Sequence, residues 1–200
     1  MLQTENHKFI IEAALTALRS QGVIAFPTDT VFGLAADMKS ETAVKRLYSI
    51  KRRPLNRPVP VMIHRKADLV NIARNIPEDA WKLIDKYWPG ALTLALEKTD
   101  KIPDWITGGG SSVAVRIPDH PTAMEILEEF NSPLAVTSAN ISGAKEFTSF
   151  TDVQAAFGDV VDVIVPGEVY HRKISTVVDF TKNPPELVRG GIIKLELKHK

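Results

Sequence analysis

The amino-acid sequence predicts an α/β fold, with one domain over residues 1–200 and a twisted mixed sheet flanked by helices. Helical patterns alternate along the chain with short, nearly continuous apolar runs, which is typical of strands covered by helices. Of the 200 residues, 44% are hydrophobic and 24% are charged, an ordinary balance for a globular protein. No internal repeat, low-complexity segment or linker interrupts this pattern, so we expect a single domain.

The first quarter of the chain predicts two helices separated by a broken strand. Residues 6–20 carry apolar side chains at helical spacing. The segment 22–37 begins as an apolar strand, breaks at Pro27 and resumes with β-branched residues. Ser40 is the expected N-cap of a second helix, which cannot continue through Pro54 because proline lacks an amide hydrogen.

The rest of the chain predicts seven strands with helices between several of them. The strand-like runs lie at 59–63, 91–96, 112–117, 133–138, 161–165, 175–180 and 186–189. The helical patterns lie at 77–87, 121–130 and 151–157. This order favours a mixed sheet, since strands of this kind must be covered by helices.

The composition excludes several classes of protein. The 25 basic and 24 acidic residues leave a formal net charge of +1, so any polyanion site must be local. The chain has no cysteine and therefore neither disulfides nor a thiol nucleophile. The N-terminal segment lacks the apolar run of a signal peptide, and no segment approaches about 18 consecutive apolar residues. We therefore expect a cytoplasmic protein.

Common catalytic and nucleotide-binding motifs are missing. No glycine precedes a lysine, so there is no Walker A loop, and the run GGGSS at 108–112 does not match GxGxxG. The five histidines show no metal-ligand spacing, and GxSxG is absent. If the protein uses ATP, it is not a P-loop enzyme.

The run KRRPLNRP at 51–58 carries Lys51, Arg52, Arg53 and Arg57 and no acidic residue. Arginine offers a planar fork to phosphate oxygens and lysine a compact charge, so the run is a candidate polyphosphate clamp. A solvated charge run at a helix C-terminus explains it equally simply, because cations there complement the helix dipole.

Two further segments place polar groups where a ligand could bind. In SVAVRI, at 112–117, alternation sets Arg116 opposite an apolar face, and an arginine buried in a central strand needs an anionic partner. A structural salt bridge and a ligand contact are both open. In TSANISG, at 137–143, Ser138 and Asn140 point the same way if the chain is extended, although these residue types also form ordinary turns.

Seven motifs in order resemble the YrdC-like family and span most of the chain. The seven motifs are PTDTVFGL from residue 27, KRRP from 51, PGALTL from 89, VAVRIPDHP from 113, SANISG from 138, STVVD from 175 and RGG from 189. The resemblance implies a sheet curved around a basic cavity. It also implies a threonylcarbamoyl-AMP synthase, which makes L-threonylcarbamoyladenylate and pyrophosphate from L-threonine, bicarbonate or CO2 and ATP, for tRNA modification beside the anticodon.

The resemblance also assigns site residues. Those implied for threonine are Thr30, Arg116, Ser175 and the main chain near Val136. Those implied for ATP are Lys51, Arg53, Arg57, Ser112, Ser138, Asn140 and Arg189, of which Lys51, Arg53, Ser138 and Asn140 are the catalytic set. A magnesium ion is expected to bridge the triphosphate, and the expected partners are transfer enzymes that pass the product to tRNA.

The sequence departs from the family pattern at two positions, and its end matches the family's short form. Phe32 stands where tyrosine is frequent, and Met62 stands where many relatives have histidine. His64 would share the strand face of Met62 only if no bulge intervenes. Because the chain ends soon after Arg189, it resembles the short single-domain form.

The alternative function is a module that binds double-stranded RNA or tRNA on the same basic surface. The nearly neutral charge balance and the lack of RNP, KH or zinc-knuckle patterns weigh against it. A relative that has lost adenylate synthesis is a further alternative, which the combination of Lys51, Arg53, Ser138 and Asn140 disfavours.

Overall fold

The computed structural model describes residues 2–195, in which six α-helices and nine strands form one layered α/β structure. The helices are α1 (Leu2–Arg19), α2 (Glu41–Lys51), α3 (Glu78–Tyr87), α4 (Asp104–Thr107), α5 (Pro121–Phe130) and α6 (Phe150–Phe157). The strands are β1 (Ile24–Phe26), β2 (Gly33–Asp37), β3 (Val61–Met62), β4 (Leu92–Glu97), β5 (Ser112–Arg116), β6 (Leu134–Ser138), β7 (Val163–Ile164), β8 (Thr176–Asp179) and β9 (Glu186–Arg189).

All nine strands belong to one mixed sheet in the order β7-β1-β2-β6-β3-β5-β4-β8-β9. Three neighbouring pairs are parallel, namely β1 with β7, β3 with β5 and β4 with β8. The other five pairs are antiparallel. The predicted α/β fold with a mixed, helix-flanked sheet is confirmed.

The two faces of the sheet are covered unequally. On one face, α2, α3 and α6 pack over a large apolar cluster that includes Val61, Val115 and Ala135. On the other face, α1 and α5 bury a smaller cluster that includes Met62 and Val136. Since α1 and α5 cover only part of their face, the remainder is open to form a site.

Local signals in the sequence explain where α2 begins and ends. The Ser40 hydroxyl accepts a hydrogen bond from the amide of Ala43 at 3.2 Å, as the predicted N-cap requires. The helix ends at Lys51 because Arg52 adopts a left-handed conformation, two residues before Pro54.

Several elements differ from the sequence prediction. The first helix starts at Leu2, before the predicted residue 6. The 3₁₀ helix at Lys66–Asn71 and the short α4 were not predicted, and β3 and β7 are each only two residues long. None of the helices between residues 2 and 195 combines the length and apolar composition that crossing a bilayer requires.

Candidate functional site

A cavity of about 180 Å³, here called the site cavity, lies on the partly covered face of the sheet. Met62 and Val136 contribute both to its wall and to the smaller apolar cluster, so the cavity continues the face that α1 and α5 cover. Among its lining residues, the polar ones used below are Thr30, Arg53, Thr93, Arg116, Ser138, Ser175 and Arg189. The predicted threonine and ATP residues therefore converge in part on one cavity.

Arg116 forms a buried ion pair in the cavity wall. Its Nη2 lies 2.5 and 2.6 Å from the two carboxylate oxygens of Asp29, and the side chains are only 5% and 1% exposed. Its Nε donates to the carbonyl of Gly90 and its Nη1 to the hydroxyl of Thr30. A guanidinium has five N–H groups, so these four bonds leave one N–H on Nη1 for a ligand. Of the two interpretations left open, the structure shows the salt bridge, on a residue that also faces the cavity.

The Thr30 hydroxyl can only accept a hydrogen bond from a ligand. The Thr28 hydroxyl donates to the carbonyl of Val31 at 2.7 Å, so in its 2.9 Å contact with Thr30 the proton comes from Thr30. The Thr30 oxygen already accepts one bond from Arg116. Its remaining lone pair suits an ammonium, amine or hydroxyl group brought by the ligand.

Ser175, which also lines the cavity, is held between two side chains. Its hydroxyl lies 2.9 Å from that of Thr93, and both residues are buried. Nη2 of Arg189 donates to the Ser175 hydroxyl and to its carbonyl, each at 3.0 Å. The structure thus brings Ser175 and Arg189, predicted for different substrates, into direct contact.

Lys51 and Asn140 lie behind the cavity wall. The Lys51 ammonium donates to the carbonyl of Ser138 at 2.5 Å, and to the carbonyl and Oδ1 of Asn140 at 2.8 and 2.7 Å. The Ser138 hydroxyl also donates to Asn140 Oδ1, at 2.8 Å. All three ammonium hydrogens are therefore used, and Lys51 acts on the cavity through its charge and by holding Ser138, whose side chain lines it.

Burial, and to a lesser extent the nearby positive charge of Arg53, lowers the pKa of Lys51 from 10.5 to about 8, against an opposing effect of Glu146. A charged lysine in a low-dielectric setting is costly without an anion. The ammonium is nevertheless the form that the three surrounding oxygens require, so a bound polyanion would stabilise it.

The other predicted ATP residues are spread around the cavity. Arg53 lines it and donates through Nη2 to the carbonyl of Pro58 at 2.7 Å, while its Nε is buried without a partner among residues 2–195. Arg57 is exposed and lies outside the lining, as does Ser112, which is half-buried at the start of β5. A direct role of these two residues needs a ligand that extends beyond the cavity.

Val136 contributes its side chain but not its main-chain N–H. That N–H already donates to the carbonyl of Pro60 at 2.8 Å. The side chain lines the cavity. The expected main-chain contact near Val136 must therefore come from another group of this strand.

The two departures from the family pattern have structural consequences. Phe32 and Met62 both line the cavity, so they replace a hydroxyl and an imidazole with apolar surface. His64 lines a different cavity. Because β3 ends at Met62, strand alternation does not extend to His64, and it cannot substitute for the missing imidazole.

Sequence reasoning missed Asp29 and Thr93, which hold Arg116 and Ser175 in place. Both lie inside motifs that were recognised, PTDTVFGL and PGALTL, and each is a polar residue within a buried run. That burial pattern could have identified them as partners of other polar groups.

Residues 2–195 contain no group of three or more His, Cys, Asp or Glu side chains able to hold a metal ion.

The sequence is similar to one family model and to several named proteins. The sequence model of the Sua5–YciO–YrdC family, described as telomere recombination, matches residues 16–191. The threonylcarbamoyl-AMP synthase of Pyrococcus abyssi is 42% identical over 187 residues, which are 93% of this chain and 55% of that protein. The enzyme of the same name from Escherichia coli O6:H1 is 38% identical, covering 81% of this chain and 86% of the relative.

Solved structures named Sua5 and YciO are similar to this chain. The crystal structure of P. abyssi Sua5 complexed with L-threonine matches with a TM-score of 0.87 and 41% identity, over 90% of this chain and 54% of that one. Escherichia coli YciO matches with a TM-score of 0.84 and 25% identity, over 93% and 90% of the two chains. This chain spans just over half the length of its P. abyssi and Bacillus subtilis relatives, 55% in each case.

Proposed function

The chain belongs to the Sua5–YciO–YrdC family, and on that premise we propose that it is a threonylcarbamoyl-AMP synthase, a nucleotidyltransferase that uses L-threonine, bicarbonate or CO2 and ATP. The observation that carries the proposal is the site cavity, where Thr30, Arg116 and Ser175 lie in the same wall as Ser138 and Arg53. Proteins with this name share 33–42% identity with the chain, and one solved relative binds L-threonine.

Threonine would occupy the part of the cavity between Thr30, Arg116 and Ser175. Thr30 offers only an acceptor, which suits the amine of the substrate, and Arg116 offers one N–H to its carboxylate. A volume of about 180 Å³ suits an amino acid better than a whole nucleotide, since pockets for drug-sized ligands are about 300–1,000 Å³. Apolar surface from Met62 and Val136 is available to the threonine methyl group.

ATP would extend from this cavity over the remaining polar and basic groups that line it. Arg53, Ser138 and Arg189 line the wall, with Lys51 and Asn140 directly behind Ser138. Arg57 and Ser112 lie farther out and would contact the nucleotide beyond the cavity. Lysine and arginine charges here would offset the repulsion between a carbamate and a triphosphate.

The proposed reaction needs no nucleophile from the protein. The threonine amine takes up CO2 with loss of a proton, or bicarbonate with loss of water, to form a carbamate. A carbamate oxygen then attacks the α-phosphorus of ATP while pyrophosphate leaves. The protein aligns the two substrates and stabilises the developing charge. A magnesium ion that enters with ATP would lower the charge of the triphosphate and would need few ligands from the protein. Enzymes that modify tRNA beside the anticodon would consume the labile adenylate in the cytoplasm.

The deciding experiment incubates the protein with ATP, L-threonine and labelled bicarbonate, and follows pyrophosphate and the labelled adenylate. We expect release that requires threonine, with serine a poorer substrate because loss of a methyl contact costs roughly 1–3 kcal/mol. Absence of both products, from protein that is folded and binds RNA, would instead support the alternative of an RNA-binding module.

A further inference from the structure

A second cavity, of about 320 Å³, lies away from the site cavity and shares no lining residue with it. It is enclosed by the 3₁₀ helix Lys66–Asn71, the end of α5 and the turn after β2. Its volume falls at the lower end of the range of about 300–1,000 Å³ that is typical of small-molecule pockets. Nothing in the proposed reaction uses this cavity.

The inner surface of the second cavity is apolar. It is formed by Met38, Ile63, Ile72, Leu127 and Pro133. The first four of these residues are at most 4% exposed, so they present a fixed apolar surface from the core. This surface suits the body of an organic ligand, because apolar burial is the main favourable contribution in such pockets.

The rim of the second cavity carries an excess of positive charge. Arg65 and Asp68 form an ion pair at 3.2 Å and largely neutralise each other. Lys101 donates to Oδ1 of Asn71 at 2.7 Å, and Lys39 forms no ion pair with any residue from 2 to 195. Two lysines thus remain without a carboxylate partner in the described structure, at the mouth of an apolar cavity.

We propose that the second cavity binds a small organic anion. The aromatic or apolar body of the anion lies on the apolar residues of the lining, and its one phosphate or carboxylate group lies between Lys39 and Lys101. The anion neutralises the two lysines. The inference does not depend on the proposed synthase activity, because none of these residues lines the site cavity.

The test is a titration of ¹⁵N-labelled full-length protein with phenyl phosphate, followed through amide chemical shifts. We expect saturable shifts at residues 63–72 and 127–133. Benzoate tests whether a carboxylate can replace the phosphate group. Inorganic phosphate carries the anionic group alone and benzyl alcohol the aromatic ring alone, so each should bind at least about tenfold more weakly than phenyl phosphate. Shifts confined to residues 28–33 and 136–140 would locate the ligand in the site cavity and overturn the proposal.

Two variants with matched charge change complete the test. The double substitution Lys39→Glu with Lys101→Glu should weaken phenyl phosphate binding by about a hundredfold, one factor of ten for each charge-assisted contact. The control Lys8→Glu with Lys182→Glu changes two exposed lysines outside both cavities and should bind as the parent does. Equal affinity in the two double variants would overturn the proposal.

Discussion

Two buried cations belong to the site, Arg116 in the cavity wall and Lys51 behind it, and a carboxylate of the protein neutralises only one of them. Arg116 has a carboxylate, that of Asp29, at 2.5 and 2.6 Å. Lys51 has three neutral oxygens of Ser138 and Asn140 at 2.5–2.8 Å, and among residues 2–195 no carboxylate within ion-pair distance. The Arg116 side is thus electrically balanced when empty, whereas the Lys51 side keeps a positive charge.

This difference suggests different roles for the two cations, which the sequence alone does not distinguish. The neutralised Arg116 offers a ligand a fixed position and one free N–H. This suits an amino acid, because an amino acid carries both an ammonium and a carboxylate group. An unbalanced ammonium, beside Arg53 and behind Ser138, favours a polyanion such as a triphosphate. The comparison predicts that changes on the two sides differ in kind, with stability affected most at Arg116 and nucleotide affinity most at Lys51.

The largest expected effect follows from breaking the ion pair at one partner. Arg116→Met leaves Asp29 as an unpaired buried carboxylate, and such losses cost about 3–5 kcal/mol. For a chain of this length, that lowers the melting temperature by about 6–20 °C. Differential scanning calorimetry measures the change.

The double variant Asp29→Leu with Arg116→Met is the control for this prediction. It removes both charges, so it should recover much of the stability while still failing to bind threonine. A single variant Arg116→Met that melts within about 2 °C of the parent would show that the pair does not support the fold.

The second prediction concerns the unbalanced side. Lys51→Met should weaken ATP binding about ten- to a hundredfold, because it removes the buried charge and the charge-assisted bonds that hold Ser138 and Asn140. Isothermal titration calorimetry measures the affinity. Arg52→Met is the matched control, since Arg52 is the next residue of the same basic run, but is exposed and outside the cavity. Equal losses in the two variants would mean that only the overall charge matters.

The third prediction is a pH dependence with a defined sign. The pKa of Lys51 in the folded protein is about 8, below its ordinary value of 10.5, so the ammonium is lost as pH rises through about 8. ATP affinity should therefore fall between about pH 7 and 9, by at most about tenfold per pH unit. Unfolding free energy should rise from about pH 8 to 10.5, because the unfolded chain then binds more protons than the folded one.

Lys51→Arg checks this assignment because an arginine stays charged throughout the range. Calorimetric titrations with ATP at pH 7, 8 and 9 should show a decline for the parent and a much flatter profile for the variant. A decline of the same size in Lys51→Arg would assign the pH dependence to another group.

The smallest expected effect lies at Thr93, which only positions Ser175. Thr93→Val removes the hydroxyl that contacts Ser175 at 2.9 Å, and such a hydrogen bond is worth about 0.5–1.5 kcal/mol. The KM for threonine should rise about two- to tenfold while ATP affinity stays unchanged. Thr99→Val, which removes an exposed hydroxyl bonded to the carbonyl of Asn71, is the control and should leave both constants unaltered.

Most strands and helices could be predicted from local patterns, because each is encoded by apolar periodicity and by caps such as Ser40. The 3₁₀ helix at Lys66–Asn71 could not, since six residues are too few to establish a helical periodicity. The alternation in SVAVRI correctly indicated that Arg116 needs an anionic partner. It could not identify that partner as Asp29, which lies 87 residues away in sequence.

The sequence by itself determined the α/β class, the motifs that form the cavity wall and the family. These properties are written in periodicity and in short runs of adjacent residues. Only the tertiary structure decided which cation is neutralised, that Lys51 lies behind Ser138, and that His64 faces a different cavity from Met62. The physical reason is that charge balance and cavity walls depend on atoms brought together by strand order, where β2, β6, β3 and β5 are neighbours in the sheet but distant in the chain.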